Sequence, residues 1–227
     1  MTSSSIGLKI LMAVTGILFV LFVLAHMYGN LKVLAGEEAF NTYAHHLRTF
    51  GEPMLPYEGL LWGLRIVLIL ALIGHAYSAF TLWSRAQGAR SQKYAVKKAI
   101  GSTLASRTMR WGGVALLLFL IFHLIHFTIV KPSVNSNYPA DQIAGNPFLM
   151  VVGSFELWWM VLLYALAMVA LGMHLYHGVW SASQTLGWTS SAKSRGVAKT
   201  TAHVVAAVVV VGFLIPPFAI LFGIVKG

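Results

Sequence analysis

The sequence contains no cysteine. That excludes disulfides, iron–sulfur ligation and thiolate zinc sites within this chain. Charge is scarce too, at 10% of residues against 58% hydrophobic. A soluble domain carries about 25% charged residues, so a soluble fold could not cover its surface. Acids are the scarcest group, 6 against 16 Lys and Arg, for a net charge of +10 over 227 residues. In so apolar a chain, with mean hydropathy +0.76, the positive excess points to loops held at an anionic membrane face rather than to nucleic acid. Lipid is the expected surroundings.

What is present is a set of five long apolar stretches. A hydrocarbon core of about 30 Å needs roughly 20 helical residues. The sequence predicts spans over about 7–34, 60–83, 111–130, 157–180 (continuing towards Leu186) and 204–224. The first is too long for a cleavable signal peptide and has no small-residue cleavage site, so it is read as a retained span. No alternating barrel pattern occurs, and an open sheet edge cannot be satisfied in lipid. The expected fold is an all-α integral membrane bundle of five transmembrane helices, one domain over 1–227 with no soluble domain.

The loops give the orientation. Segment 84–110 carries Arg85, Arg90, Lys93, Lys97, Lys98, Arg107 and Arg110, and segment 187–203 carries Lys193, Arg195 and Lys199, both without an acid. Glu37, Glu38, Glu52, Glu58, Asp141 and Glu156 all follow spans one and three. The positive-inside rule predicts a cytoplasmic N-terminus, with loop 35–56 outside.

Nine histidines in such a chain are the anomaly. His45, His46 and His203 read as interfacial or solvated. His26, His75, His123, His126, His174 and His177 lie within the first four spans. An intramembrane ionisable residue is costly and usually functional; the plain alternative is a neutral imidazole bonding across helices. Imidazole is a good axial ligand for haem iron, and facing helices with one His each make a bis-His site. Counted from the span ends, His26 and His123 both lie roughly 11 Å below the outer surface. His75 and His174 lie a similar distance from Trp83 and Trp180 at the inner end, where Trp marks the interface. The expected pairs are His26 with His123 and His75 with His174, at levels roughly 10 Å apart. Gly16 and Gly29 flank His26, Gly74 and Ala79 flank His75, and Gly172 and Gly178 flank His174. They would give a flat macrocycle room, or simply pack helices. Arg65 lies about two turns inside span two, where it could meet a haem propionate or snorkel to the surface.

These residues carry a resemblance. Thr15-Gly16 with His26-Met27, then His75-Ala76-Tyr77, Phe122-His123-Leu124 and His174-Leu-Tyr-His177-Gly178-Val-Trp180 follow in order on the first four spans. The chain resembles the five-helix dihaem cytochrome b anchor of succinate:quinone oxidoreductases (succinate dehydrogenase and fumarate reductase), most of all the actinobacterial branch. The likeness runs from Ser4 to the fifth span. It implies two haem b groups, the outer on spans one and three and the inner on spans two and four. His26, His123, His75 and His174 are then the axial ligands, and His177 a neighbour of a ligand. His126, one turn beyond His123, stays an alternative. It also implies a cytoplasmic flavoprotein subunit, an iron–sulfur subunit and menaquinone as acceptor, in a bacterial inner membrane. The chain itself would be the non-catalytic membrane subunit. Candidate quinone residues near the outer haem are Lys32, Tyr43, Arg48, Glu52 and Tyr57; at the inner end they are Ser5, Lys9, Trp180 and Ser181. Two other readings are a dihaem anchor of a different quinone-linked enzyme, such as a hydrogenase or formate dehydrogenase, and a haem-free proton channel or transporter.

Overall fold

Each long apolar stretch forms a helix, as a chain in lipid must satisfy its backbone internally. The computed structural model describes residues 4–89 and 104–227. Arg90, Lys93, Lys97 and Lys98 of the basic stretch, and the side chain of Arg107, lie outside the described residues. Among those described there is no strand. Helix α1 (Ser5–Leu31) starts at Ser4, whose hydroxyl accepts from the Gly7 amide at 2.9 Å, and tightens into a short 3-10 turn, Lys32–Ala35. Then come α2 (Glu37–Thr49), α3 (Gly59–Gly88) and α4 (Leu104–Leu124), which widens into a π-helical turn over Ile125–Ile129. After α5 (Ala140–Ile143) and α6 (Pro147–Phe155), α7 (Trp158–Thr185) and α8 (Ala192–Leu221) complete the chain.

Five of these helices are long and apolar enough to cross a membrane: Ser5–Ala35, Gly59–Gly88, Thr108–Ile129, Trp158–Thr185 and Ala192–Leu221. The fifth begins twelve residues before the expected 204. Its start is set by a capping box, with the Ser191 hydroxyl accepting from the Ser194 amide at 3.0 Å and the Ser194 hydroxyl accepting from the Ser191 amide at 2.9 Å. Hydropathy marks only the apolar part. Lys193, Arg195 and Lys199 therefore ride on the first turns of a helix rather than in a loop.

Segments 35–56 and 131–156 are more than loops. Helix α2 is amphipathic and carries Glu37 and Glu38 in its first turn, where they suit the helix dipole. Helix α6 has Asn146 as cap and Pro147 in its first turn, and seven of its nine residues are buried. Nine residues span only about 14 Å, too short to cross, so α6 tucks beneath α2 instead. A polar lock joins the two: Asn41 Nδ2 donates to Asn146 Oδ1 at 2.9 Å, and Asn146 Nδ2 to Glu37 Oε1 at 2.7 Å. Val152, Phe155, Met160, Tyr164 and Ile220 belong to the larger of two apolar clusters among the described residues.

The spans form a rhombus with a backing helix. Helix α1 packs on α3 and α7, and α4 packs on α7. Helix α8 lies against both α1 and α7. Among the described residues, α1 with α4 and α3 with α7 are not closely packed backbone to backbone. Those two wide sides are the ones that the histidines face.

The tight α7–α8 seam needs Gly172, since a Cβ there would lie 2.8 Å from Val210 Cγ2. Gly172→Val is expected to cost about 1–3 kcal/mol and lower the thermal midpoint of the detergent-solubilised protein. An unchanged midpoint would contradict the seam.

Candidate functional site

The structure brings the intramembrane histidines together in pairs across the wide sides of the bundle. The rings of His26 (α1) and His123 (α4) have centroids 5.9 Å apart. Those of His75 (α3) and His174 (α7) are 6.2 Å apart. A metal–imidazole nitrogen bond is about 2 Å and the ring centroid lies about 1 Å behind that nitrogen, so two imidazoles on opposite sides of one metal have centroids roughly 6 Å apart.

At the His75–His174 pair, called inner after its expected side, small residues line the space. His75 Cε1 lies 3.5 Å from where a Cβ on Gly16 would be, and His174 Cε1 lies 3.6 Å from where a Cβ on Gly113 would be. A Cβ at either glycine would just touch the ring, so each ring lies close against the neighbouring helix where a longer side chain would meet it. Thr15 Oγ1 approaches His75 Nδ1 at 3.1 Å and donates to the Leu11 carbonyl at 2.7 Å. His174 Nδ1 is buried without a hydrogen-bond partner among the described residues. From Gly16 to His26 along α1 is ten residues, and from Gly113 to His123 along α4 is again ten. Both helices therefore separate the two pairs by about 15 Å, rather than the 10 Å expected from the span ends. Span ends misjudge depth because the helices overrun the apolar stretch.

At the His26–His123 pair, called outer after its expected side, His26 stacks on Phe22 at 5.4 Å and meets Phe213 of α8 at 5.8 Å. His123 lies over Phe119 at 6.0 Å, and its Nδ1 approaches the Tyr164 hydroxyl at 3.3 Å. His126 is 1% exposed and has both ring nitrogens engaged. Its Nδ1 lies 3.1 Å from the Tyr164 hydroxyl and its Nε2 3.1 Å from Ser154 Oγ. The π-helical turn carries His126 over to α6. Of the two candidates on this span, His123 faces His26.

The other candidates fall into separate groups. Glu58 binds both Arg48 Nε at 3.2 Å and Arg65 Nη1 at 3.5 Å, and the Arg65 guanidinium also covers the Trp62 ring at 4.8 Å. Arg65 is thus engaged near the start of α3. Lys32 lies over the Tyr28 ring at 5.0 Å, and Tyr43 meets that ring edge-on at 6.3 Å. Burial first, then Tyr28, raises the Tyr43 hydroxyl pKa above its ordinary value. Glu52 and Tyr57 are exposed in the connection before α3. His177 has no hydrogen-bond partner among the described residues. Of the flanking glycines, Gly16 serves His75 rather than His26, Gly29 backs Tyr43, Gly74 meets Leu11, and Gly172 belongs to the α8 seam. Gly113 and Tyr164 were not among the sequence candidates. The shared ten-residue Gly-to-His spacing is the signal that could have found Gly113.

No family model matches this chain, and comparisons with curated proteins and with solved structures gave no match. The chemistry must be read from the site. Among the described residues, four imidazoles form two facing pairs, with no carboxylate bonded to them, a hydroxyl on one ring nitrogen of His75 and of His123, and one nitrogen of His174 without a partner. These residues fit a metal held between two neutral imidazoles at each level.

The contrast between His126 and His177 is testable without any cofactor. His126→Ala strips partners from the buried Tyr164 and Ser154 hydroxyls and leaves a void, so about 1–3 kcal/mol of stability should be lost. His177→Ala should lower the thermal midpoint much less. Equal midpoints would contradict the bonding described for His126.

Proposed function

We propose that this chain is the dihaem cytochrome b membrane anchor of a succinate:quinone oxidoreductase, relaying electrons from an iron–sulfur subunit to a membrane quinone. One observation carries the reading: two His–His pairs, each at the separation of two imidazoles sharing one iron, stacked about 15 Å apart along the bundle. Bound haem b would supply reversible one-electron iron chemistry at each level. The order of sequence features along the four spans supports the choice of enzyme.

The chain's own residues do the holding. His26 and His123 would hold the outer group and His75 and His174 the inner one. Gly16 and Gly113 let the inner rings approach neighbouring helices. Thr15 orients His75 through Nδ1, as the partner bonded to a metal-ligating imidazole does in general. The apolar walls of Phe19, Phe22, Phe119 and Phe213 exclude water and keep the imidazoles neutral.

Orientation and partners extend the proposal. Arg85, Arg110, Lys193, Arg195 and Lys199 lie at one end of the bundle, and the acids at the other. The basic end is the cytoplasmic one, of a bacterial inner membrane, and the iron–sulfur and flavoprotein subunits dock there. Menaquinone is the proposed acceptor. The Lys32–Tyr28–Tyr43 group offers donors beside lipid near the outer pair, with Arg48, Glu52 and Tyr57 in the same outer region.

The four single His→Ala variants should fall into two spectral classes. His26→Ala and His123→Ala should each remove or shift the same b-type component in a redox titration of absorbance. His75→Ala and His174→Ala should affect the other, while His126→Ala and His177→Ala keep both. If His26→Ala and His75→Ala remove the same component, the two-level arrangement is wrong.

Orientation has its own test. A cysteine replacing Glu38 should react with a membrane-impermeant thiol reagent in intact cells, and one replacing Lys193 should react only after the membrane is opened. The opposite pattern would invert the topology.

A further inference from the structure

Four polar side chains near the outer pair make a continuous chain whose direction can be worked out from one end. Ser154 Oγ lies 2.7 Å from the Met150 carbonyl oxygen. A carbonyl cannot donate, so the hydroxyl hydrogen of Ser154 points there; otherwise two oxygens would face each other bare. Ser154 Oγ can then only accept from His126 Nε2, 3.1 Å away, which must carry a hydrogen. His126 is 1% exposed and has no carboxylate among its partners, so it is neutral. Its bare Nδ1 accepts the Tyr164 hydroxyl hydrogen over 3.1 Å. A phenol has one hydrogen, and it is now used. The Tyr164 oxygen therefore accepts from His123 Nδ1–H at 3.3 Å, and His123 Nε2 is left with a free lone pair.

We propose that Ser154, His126 and Tyr164 are positioning residues that form a one-way hydrogen-bond chain, anchored on the Met150 carbonyl, which fixes His123 as its Nδ1–H tautomer and frees Nε2 to bind the outer metal. The use of that lone pair rests on the dihaem reading; the chain itself rests on the distances. The inner pair has the same device in short form. Thr15 Oγ1 donates to the Leu11 carbonyl and so accepts from His75 Nδ1–H. One imidazole of each pair is thus tautomer-locked by a hydroxyl whose own hydrogen is spent on a helix carbonyl or passed along towards one. His126 is the turning point of the outer lock, which uses both of its nitrogens and leaves none for a metal.

The lock has an electronic effect. A hydrogen bond from Nδ1–H makes the ligand more basic and favours the oxidised metal. Tyr164→Phe removes the acceptor. If the oxidised state alone lost the low end of the affinity that such a partner contributes, about tenfold, the reduced-to-oxidised ratio of the outer component at a fixed potential would rise by that factor. For a one-electron couple that is an upward shift of ~59 mV. The inner component should stay in place.

The test uses the full chain in lipid with nitrogen-15 histidine, together with redox titration of the haem-loaded protein. The expected result is His126 protonated at Nε2 and His123 at Nδ1, with the outer potential raised in Tyr164→Phe. Ser154→Ala should mix the His126 tautomers, and Ser154→Thr, which keeps the hydroxyl, should restore them. His126 protonated at Nδ1 would overturn the proposal. So would an outer component unmoved in Tyr164→Phe, or both components moving equally, as a purely structural defect would cause. A wild-type protein without any b-type absorption would sink the dihaem reading alone, and the tautomers would still decide the chain.

Discussion

A neutral imidazole buried in an apolar bundle has two nitrogens to satisfy and almost nothing to satisfy them with. Much of the arrangement follows from that shortage. With no carboxylate at hand inside the spans, the partners must be hydroxyls, and Thr15, Tyr164 and Ser154 supply them. Each hydroxyl must then dispose of its own hydrogen. Helix carbonyls one turn back take those of Thr15 and Ser154, an arrangement only a helix of fixed register provides. The polar interior of this chain is accordingly a few short chains ending on backbone oxygen.

Glycine does the complementary work. Imidazoles can face each other across the wide sides only if their rings find room beside the neighbouring backbones. Gly16 and Gly113 give it on α1 and α4 at the same distance below His26 and His123. Helices α1 and α4 therefore present the same construction, a gap for one pair and a ring for the other. Helix α8 contributes Phe213 against His26 and otherwise seals the back of α1 and α7.

The five spans and the partners within each pair were legible in the sequence, because lipid forces length and hydropathy to agree and because depth can be counted in residues. The apolar run ending at Phe155 is too short to cross, and hydropathy alone does not show that it packs against α2. Ser154 was missed with it, and so was the reason that His126 is buried. Tyr164 has the sequence signature of any residue of an apolar span; only the fold sets its hydroxyl against both His123 and His126. The pairing of Arg65 with Glu58, which caps the same helix, has no hydropathy signature. The start of α8 was hidden because a polar helical turn has no hydropathy signature.

The pairing is interleaved, first span with third and second with fourth. No contiguous half of the bundle holds a complete pair: spans one and two together offer two unmatched rings, and so do spans three and four. As the chain is made, the outer pair can close only once α4 has entered, and the inner pair only after α7. Between those moments His75 has its threonine but no opposite ring. Completing both pairs thus requires that four spans have already found one another.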